Sequence, residues 1–453
     1  MIRNLMQKTV RHQAVEILTR VSQSDAFAGD LLDSCLEKQN LSRTADGRLL
    51  THLVYGVLRM QGHLDWILAR LYRGNYLKME ENIKNVLRTG LYQLQFSDRL
   101  PAFAVVDEAV KITRRVQPAA RGLVNAVLRS YLRSPGPWSF PDENKNPAEY
   151  IAAFHSHPLW LVEEWLNVFG RMETEALCAA NNELPPLTAR ANTLKSGRRE
   201  LIEKLAGENF QAEETRLSPD GIRLSSSSLP IQKTLFFADG LLRLQDEASQ
   251  LVAYLVNPRK GQKILDACAG SGGKTTHLAA LMKNEGVIVA LDRDAEKLVQ
   301  LQNDAARMGI TIVKTARVDL ERPLSAQYQN AFDTVLVDAP CSGTGTLRRN
   351  PEIKWRLKPK DIHLYADLQQ SILQNAGAAV SKNGFLVYCT CSLFSQENDR
   401  VVRRFLADFP QFQLLLPDSP VVQGLIDSRG LFRSYPHRHS MDGFFGAVFR
   451  RRI

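Results

Sequence analysis

The chain has 453 residues, and its 58 Lys and Arg residues outnumber 48 Asp and Glu residues, a formal net charge of +10. This length exceeds one average domain and predicts two to four domains. The positive excess fits a polyanionic partner, and the absence of any apolar run of about 18 residues argues against a membrane span.

The N-terminal part of the chain carries apolar residues at helical spacing. Ala14, Ile17, Leu18 and Val21 form one such set, and similar sets recur near residues 53–68 and 124–131. This spacing predicts a helical domain over residues 1–135. Its basic outer faces leave two interpretations open, a solvated helical bundle or an RNA-facing module. A run rich in Pro, Gly and Ser at 134–141, followed by Pro147, predicts a linker.

Residues 150–240 are predicted to hold linker helices and a small α+β subdomain that binds RNA. Helices are expected near 158–169 and 171–182, and a strand is expected at 187–192. A basic helix at 196–205 and a short strand at 222–224 complete a β-α-β pattern.

From about residue 245 short apolar strands alternate with helices. Strands are predicted at 264–268, 287–291, 311–316, 334–337 and 385–389. This rhythm predicts an α/β domain over residues 241–453 with a parallel, doubly wound sheet. In such a sheet functional residues lie at the carboxyl ends of the strands.

A glycine-rich loop joins the first of these strands to a helix beginning near Lys274. Glycines allow a ligand close to the backbone, and the helix N-terminus offers free N–H groups. The glycine spacing before Gly-Lys-Thr excludes a P-loop. Asp292, after the second strand, is placed to bind ribose hydroxyls, and Asp319 is either an adenine ligand or an ordinary loop carboxylate. The predicted cofactor-binding residues of this region are Cys268, Ala269, Gly270, Ser271, Gly272, Gly273, Lys274, Asp292 and Asp319.

Two cysteines follow predicted strands in short polar motifs, Asp338-Ala339-Pro340-Cys341 and Thr390-Cys391-Ser392. A thiolate that adds to C6 of cytosine makes C5 nucleophilic enough to accept a methyl group from a sulfonium donor. Such chemistry needs an attacking thiol activated by its surroundings, a group on N3 and a base. Asp338, expected as a neutral acid with a raised pKa, Cys341 and Cys391 could supply these roles, with Lys274 as the activating cation. Chemistry alone does not decide which thiol attacks.

The other four cysteines, Cys35, Cys178, Cys268 and Cys389, are expected to pack as small apolar residues. The six cysteines lack CxxC and zinc spacing and follow no secretory signal. We therefore expect no metal site and a reducing, cytoplasmic location.

Basic residues follow the Pro-Cys motif and could hold RNA phosphates, although a solvated loop is the simpler interpretation. They are Arg348, Arg349, Lys354, Arg356, Lys358 and Lys360, with Trp355 among them, and Lys195, Arg198, Arg199 and Lys204 could extend the track. His437 and His439 either shape the substrate pocket or bond locally.

At these motifs the chain resembles the RNA cytosine-5 methyltransferase family, also called the Sun or Fmu family, in its RsmB type, which acts on 16S ribosomal RNA. The resemblance rests on the segments 338–343, 348–355, 388–392, 245–249 and 436–445, and on Glu397-Asn398. The N-terminal helical region, including residues 102–129, is similar to a NusB-like RNA-binding domain.

The resemblance implies a class I methyltransferase domain that uses S-adenosylmethionine, held by the glycine loop, Asp292, Asp319 and Asp338. It implies that Cys391 is the nucleophile and that Cys341 assists release. The family loop usually has proline where this chain has Ser271, and we expect slightly weaker cofactor affinity at most.

Three functions remain open in the sequence. The main hypothesis is a monomeric enzyme that makes 5-methylcytosine in 16S ribosomal RNA. The alternatives are a non-catalytic RNA-binding ribosome assembly factor, which the intact Asp338, Cys341 and Cys391 disfavour, and a methyltransferase acting on tRNA.

Overall fold

The computed structural model describes residues 9–42, 44–97, 100–134, 136, 138–226 and 230–452. Pro135 and Pro137 of the predicted linker lie outside these residues. The chain divides into two compact units, one formed by Met1–Leu184 with Leu347–Leu357 and the other by Pro185–Thr346 with Lys358–Ile453. Within the described ranges no helix is both long and apolar enough to cross a membrane. The domain limits at 135, 150 and 240 stay predictions.

The first unit is helical, as predicted. Its main helices are α1 Val10–Gln23, α2 Ala28–Lys38, α3 Ala45–Leu71, α4 Glu81–Phe96, α5 Ala102–Val116, α6 Arg121–Arg133, α7 Pro147–Phe154 and α8 Leu159–Asn182. The apolar stripes of α1 to α6 share one core, in which Ala14, Leu53 and Leu128 are fully buried. Gly170, at φ +74°, breaks α8 into the two predicted helical stretches. Pro147 was expected in the linker but begins α7, because proline is well suited to the first helical turn.

The second unit begins with a four-stranded antiparallel sheet. Its elements are β1 Leu187–Ala191, α9 Arg198–Gly207, β2 Gln211–Glu214, β3 Gly221–Ser226, α10 Leu235–Ala238 and β4 Leu242–Leu244, in strand order β2-β3-β1-β4. Leu201 and Leu205 of α9 pack on this sheet with Ile222 and Leu242. The predicted small α+β platform is therefore present, and β4 completes it.

The larger sheet of this unit contains the strands predicted from the alternating pattern. From residue 247 onward the main helices and strands of the chain are, in order, α11 Glu247–Val256, β5 Lys263–Asp266, α12 Gly273–Leu281, β6 Val287–Asp292, α13 Ala295–Met308, β7 Val313–Arg317, β8 Phe332–Asp338, α14 Ile353–Arg356, α15 Pro359–Gly377, β9 Val380–Thr390, α16 Asp399–Asp408, β10 Phe412–Leu415, β11 Phe432–Ser434, α17 Pro436–His439 and β12 Phe444–Arg451. Of these, α14 belongs to the first unit.

The expected purely parallel sheet is wrong at one edge. Strands β7-β6-β5-β8-β9 are parallel, but β12 pairs antiparallel with β9, and β10 and β11 pair antiparallel with β12. An antiparallel neighbour needs no crossover helix, so the strand-helix rhythm does not reveal these strands.

Candidate active site

A cavity of about 210 Å³ lies at the carboxyl ends of β5, β6, β7 and β8. Five predicted cofactor-binding residues line it: Cys268, Gly270, Asp292, Asp319 and Asp338. Ala269, Ser271, Gly272, Gly273 and Lys274 are not among its lining residues. The parallel strands bring together these positions, far apart in the chain, because their carboxyl ends share one edge.

The glycine loop has a shape that other residues would strain. Gly270 and Gly272 have φ of +53° and +84°, in the left-handed region that favours glycine. A Cβ at Gly272 would also come within 2.5 Å of Leu301. The Gly270 N–H donates to Asp292 Oδ2 at 2.8 Å, so the loop and the predicted ribose-binding carboxylate are held together. The loop is thus preformed for close approach of a ligand.

Two buried arginines of the four-stranded sheet, Arg190 and Arg243, donate hydrogen bonds to this loop and to the start of α12. Arg190 donates to the Gly273 carbonyl at 2.7 Å and to Thr276 Oγ1 at 2.9 Å. Arg243 donates to the Ser271 carbonyl at 2.9 Å and to its hydroxyl at 3.2 Å. Serine at 271 therefore gains a side-chain contact that proline could not make. Sequence patterns gave no signal for either arginine, since both lie far from the loop in the chain.

Asp266, the last residue of β5, is a further candidate ligand that the sequence reasoning omitted. Among the described residues its Oδ1 is buried without a hydrogen-bond partner, while Thr275 Oγ1 donates to Oδ2 at 2.6 Å. Burial raises the pKa of Asp266 to about 7. A buried polar atom without a partner next to the cavity fits a bound group with an N–H donor, such as the amino group of S-adenosylmethionine.

Lys274 and Asp338 form an ion pair, with Nζ and Oδ2 2.5 Å apart. Burial alone would lower the pKa of Lys274, but the Asp338 carboxylate outweighs it and the pKa is raised. The Cys389 thiol also donates a hydrogen bond to Asp338 Oδ1, and its Sγ lies 3.4 Å from that oxygen. The role of Asp338 as a neutral acid stays a prediction.

The two motif cysteines lie side by side, with sulfurs 3.3 Å apart. The pKa of Cys341 is raised well above its usual value, first by its hydrogen bond to Cys391 and then by burial and by the charges of Cys391 and Glu397. The attraction between Lys274 and a Cys391 thiolate contributes to the raised pKa of Lys274. The two thiols therefore have unequal surroundings.

The remaining predicted residues near the site have simpler roles. Cys389 and Cys178 are fully buried, as expected for packing residues, whereas Cys268 is half-buried and lines the cavity. Asp319 Oδ1 accepts the Glu321 N–H at 3.1 Å. His439 Nδ1 accepts the Tyr435 N–H at 2.9 Å, which is the local bonding foreseen as its alternative.

The predicted RNA-binding cluster is largely wrong. Lys354 is 0 % exposed inside the helical unit, where Nζ donates to the Arg59 carbonyl at 2.9 Å, the Ser156 carbonyl at 2.8 Å and Asn182 Oδ1 at 3.0 Å. Arg348 is also buried.

Other members of the cluster are engaged in the same way. Arg356 donates to the Val21 and Ala26 carbonyls, and the Trp355 indole donates to the Leu58 carbonyl at 2.7 Å. The segment 347–357 is therefore an internal anchor of the first unit. Lys358 and Lys360 remain exposed.

The proposed extension of this track is also occupied by internal contacts. Lys195 donates to the Asp239 and Arg307 carbonyls. Arg198 and Arg199 pair with Glu214, and Lys204 pairs with Glu200. Lys195, Arg199 and Lys204 nevertheless remain exposed, and exposed ion pairs contribute little energy, so their contact with RNA stays a prediction.

A Rossmann-like sheet with a glycine loop, a carboxylate after its second strand and two thiols beside a third carboxylate defines a methyltransferase of the S-adenosylmethionine-dependent class. Three family models match the chain: the NusB family at residues 8–133, a ferredoxin-like domain of RsmF/B-like methyltransferases at 157–232, and 16S rRNA methyltransferase RsmB/F at 253–450.

Similar proteins match along the whole chain. The Bacillus subtilis protein named probable ribosomal RNA small subunit methyltransferase B is 36% identical, over 99% of this chain and 100% of its own. A Synechocystis protein of the same name is 35% identical, over 98% and 99%. The solved structure of PH0851 has a TM-score of 0.83 and 28% identity, over 98% of this chain and 100% of its own. The chain therefore belongs to the RsmB/F family of 16S rRNA methyltransferases, whose methyl donor is S-adenosylmethionine.

Proposed function

We propose that this protein transfers a methyl group to C5 of a cytidine in 16S ribosomal RNA through a covalent bond between Cys391 and C6. The observation that carries the proposal is the pair of sulfurs 3.3 Å apart, which lie just beyond the ends of β8 and β9, where Asp338 ends β8 and pairs with Lys274 of α12. When bound, S-adenosylmethionine supplies the methyl group from its sulfonium centre. The cavity residues Asp292 and Asp319 would hold it, together with Asp266, which precedes the cavity residue Ala267.

Cys391 is the better nucleophile of the two thiols. A thiolate at Cys391 is attracted by the Lys274 ammonium and can accept a hydrogen bond from the Cys341 thiol. Burial and the charge of Glu397 disfavour a thiolate at Cys341. Addition forms the sulfur–C6 bond and moves the C5–C6 π electrons to C5. Asp338 is assigned to the N3 edge of the base, where as a neutral acid it gives its proton to N3 during addition and takes it back when Cys391 leaves.

Cys341 then acts in release of the product. The largest cause of its raised pKa is the hydrogen bond to Cys391, and the charge of Cys391 contributes after burial. Both contributions of Cys391 are removed once Cys391 is a neutral thioether. Cys341 can then lose its proton to solvent, which accounts for the one proton that the overall reaction releases. Its thiolate takes the C5 proton, the C–H electrons restore the C5–C6 double bond, and Cys391 leaves as a thiolate.

The other expectations follow from the same assignment. We propose the NusB-like helical unit as an RNA-binding module, a monomer as the working form and the cytoplasm as the location, where both thiols stay reduced. The free state of the six cysteines is compatible with that location.

Two single variants test the assignment. Cys341→Ala should accumulate a covalent RNA adduct that survives denaturing electrophoresis, and Cys391→Ala should form none. The reverse pattern would show that Cys341 attacks. Wild-type protein should transfer labelled methyl to deproteinised 16S ribosomal RNA but not to tRNA. RNA binding without any transfer would instead support a non-catalytic assembly factor.

A further inference from the structure

Glu397 is a carboxylate with no solvent exposure that lies between the two cysteine loops. Its Oε1 accepts hydrogen bonds from the Ser342 and Ser392 hydroxyls, each at 2.5 Å. Its Oε2 accepts from the Ser342 N–H at 2.8 Å and from the Gln369 amide at 2.9 Å. One side chain thus bonds the residue that follows Cys341 and the residue that follows Cys391.

The chemistry of these neighbours favours an ionised carboxylate. All four groups can donate, and only the ionised form accepts at both oxygens without presenting a proton of its own. A buried charge is tolerated when charge-assisted hydrogen bonds satisfy it. An amide of the same shape would turn one acceptor oxygen into a donor that faces other donors.

Neighbouring contacts extend this link to the backbone of both loops. Gln369 also donates to the Pro340 carbonyl at 3.0 Å, so it holds the Pro-Cys loop as well as Glu397. Asn398 accepts from Thr390 Oγ1 at 2.6 Å and donates to the Ser392 carbonyl at 2.8 Å. The two loops follow the adjacent strands β8 and β9 and also bond each other directly, from the Gly345 N–H to the Cys391 carbonyl at 2.8 Å and between the Ser342 and Ser392 hydroxyls at 3.1 Å. Their sulfurs meet beyond the strand ends.

We propose that Glu397 is a positioning residue that sets the distance between Cys341 and Cys391 for adduct formation and release. Its kinetic consequence rests on the function proposed above, whereas its effect on the distance between the sulfurs does not. Glu397 contacts neither sulfur through a hydrogen bond in the described structure, so it acts through Ser342 and Ser392. A displacement of reacting atoms by about 1 Å can lower the reaction rate about a hundredfold.

The test uses full-length Glu397→Gln with Ser342→Ala and Ser392→Ala as milder variants that each remove one hydroxyl donor. A matched control is Glu247→Gln in the same unit. Glu247 is also a buried carboxylate that accepts two backbone N–H groups, from Leu217 and Ser218, but it contacts neither cysteine loop. Thermal denaturation of all four variants compares their losses of stability.

Two readouts separate positioning from general stability. The first is kcat, expected to fall about a hundredfold in Glu397→Gln, while KM for S-adenosylmethionine stays within about twofold. The second is the rate at which diamide, a diazene oxidant, converts the two thiols to a disulfide without RNA or cofactor. Oxidation removes two protons and two electrons from the thiols and reduces the diazene to a hydrazine. This rate should fall about tenfold, because it requires the sulfurs to meet.

The outcomes distinguish the two proposals. Unchanged diamide oxidation in Glu397→Gln would overturn the positioning role, as would an equal loss of kcat in Glu247→Gln. Should Glu397→Gln not fold, unchanged oxidation in Ser342→Ala and Ser392→Ala would overturn it instead. If Cys341→Ala forms no RNA adduct, the covalent mechanism fails, and the diamide rates still decide whether Glu397 positions the thiols.

Discussion

Arg243→Gln removes the two hydrogen bonds that Arg243 donates to Ser271 of the glycine loop, and it should weaken cofactor binding. Arg243 donates to the carbonyl and the hydroxyl of Ser271 and pairs with Asp304. Asp304 keeps a second partner in Arg307, whose Nη2 lies 2.9 Å away. The substitution therefore frees the loop without leaving a carboxylate unpaired, and the small sheet should stay folded.

The size of the effect follows from the two lost bonds. Hydrogen bonds from a charged donor contribute about 1.5–3 kcal/mol each. Only the part of this free energy that orders the loop contributes to the binding of the cofactor. A net loss of about 1.5–3 kcal/mol corresponds to a dissociation constant about tenfold to a hundredfold higher. Ser271→Ala loses only the longer bond to the hydroxyl and should cost less than about tenfold. Ser271→Pro replaces that bond by a preset φ and should bind within about threefold of wild type.

Isothermal titration with S-adenosylmethionine and with its demethylated product measures these constants directly. Thermal denaturation monitored by circular dichroism provides the control for folding. If the dissociation constant of Arg243→Gln for S-adenosylmethionine stays within about twofold of the wild-type value, the hydrogen bonds from Arg243 do not order the loop for binding. If Ser271→Ala is as severe as Arg243→Gln, the hydroxyl rather than the carbonyl contact is decisive, and the reasoning from donor distances is wrong.

Two further substitutions test buried charges. Lys354→Met removes one donor from each of three oxygens, at up to about 1–3 kcal/mol each. Relief of the buried charge offsets part of this loss, since burial lowers the pKa of Lys354 to about 7. We expect denaturation to show a net loss of about 2–4 kcal/mol, and an unchanged melting temperature would contradict the anchoring role of residues 347–357. Burial raises the pKa of Asp266 from 3.8 to about 7, so between these values the folded state holds a proton that the unfolded state has released. Stability should therefore fall by up to about 4 kcal/mol as pH rises from about 4 to 7, and Asp266→Asn should flatten this slope; equal slopes would refute it.

The strand-helix rhythm of the C-terminal half was readable from local sequence. Strands β5, β6 and β8 are buried on both faces and form short apolar runs, which is the pattern expected of parallel strands between helices. Strand β12 was not predicted as an element, and the family motif at 436–445 reaches only its first two residues, Phe444 and Phe445. It follows a loop rather than a crossover helix, so its partner β9 is evident only from the folded sheet.

The candidate site was readable to the extent that each residue sits in a local motif. Asp292 and Asp338 end strands, Cys341 and Cys391 follow strand ends, and the sheet brings these ends to one edge. Arg190 and Arg243 carry no comparable signal, because they act from another sheet. Asp266 fell inside the strand predicted at 264–268, whereas β5 ends at Asp266. The charge run at 348–356 misled the prediction, since local sequence does not show whether a basic segment faces solvent or another element.

The sequence by itself determined the class of fold, the cofactor loop and the two thiols that the chemistry needs. These features depend on periodicity and on short motifs, which are local properties of the chain. Only the tertiary structure decided that Cys341 and Cys391 lie 3.3 Å apart, that Glu397 bonds both of their loops and that Lys354 is an interior anchor. Those facts depend on burial and on contacts between distant segments, and the energy of a charge is set by what surrounds it after folding.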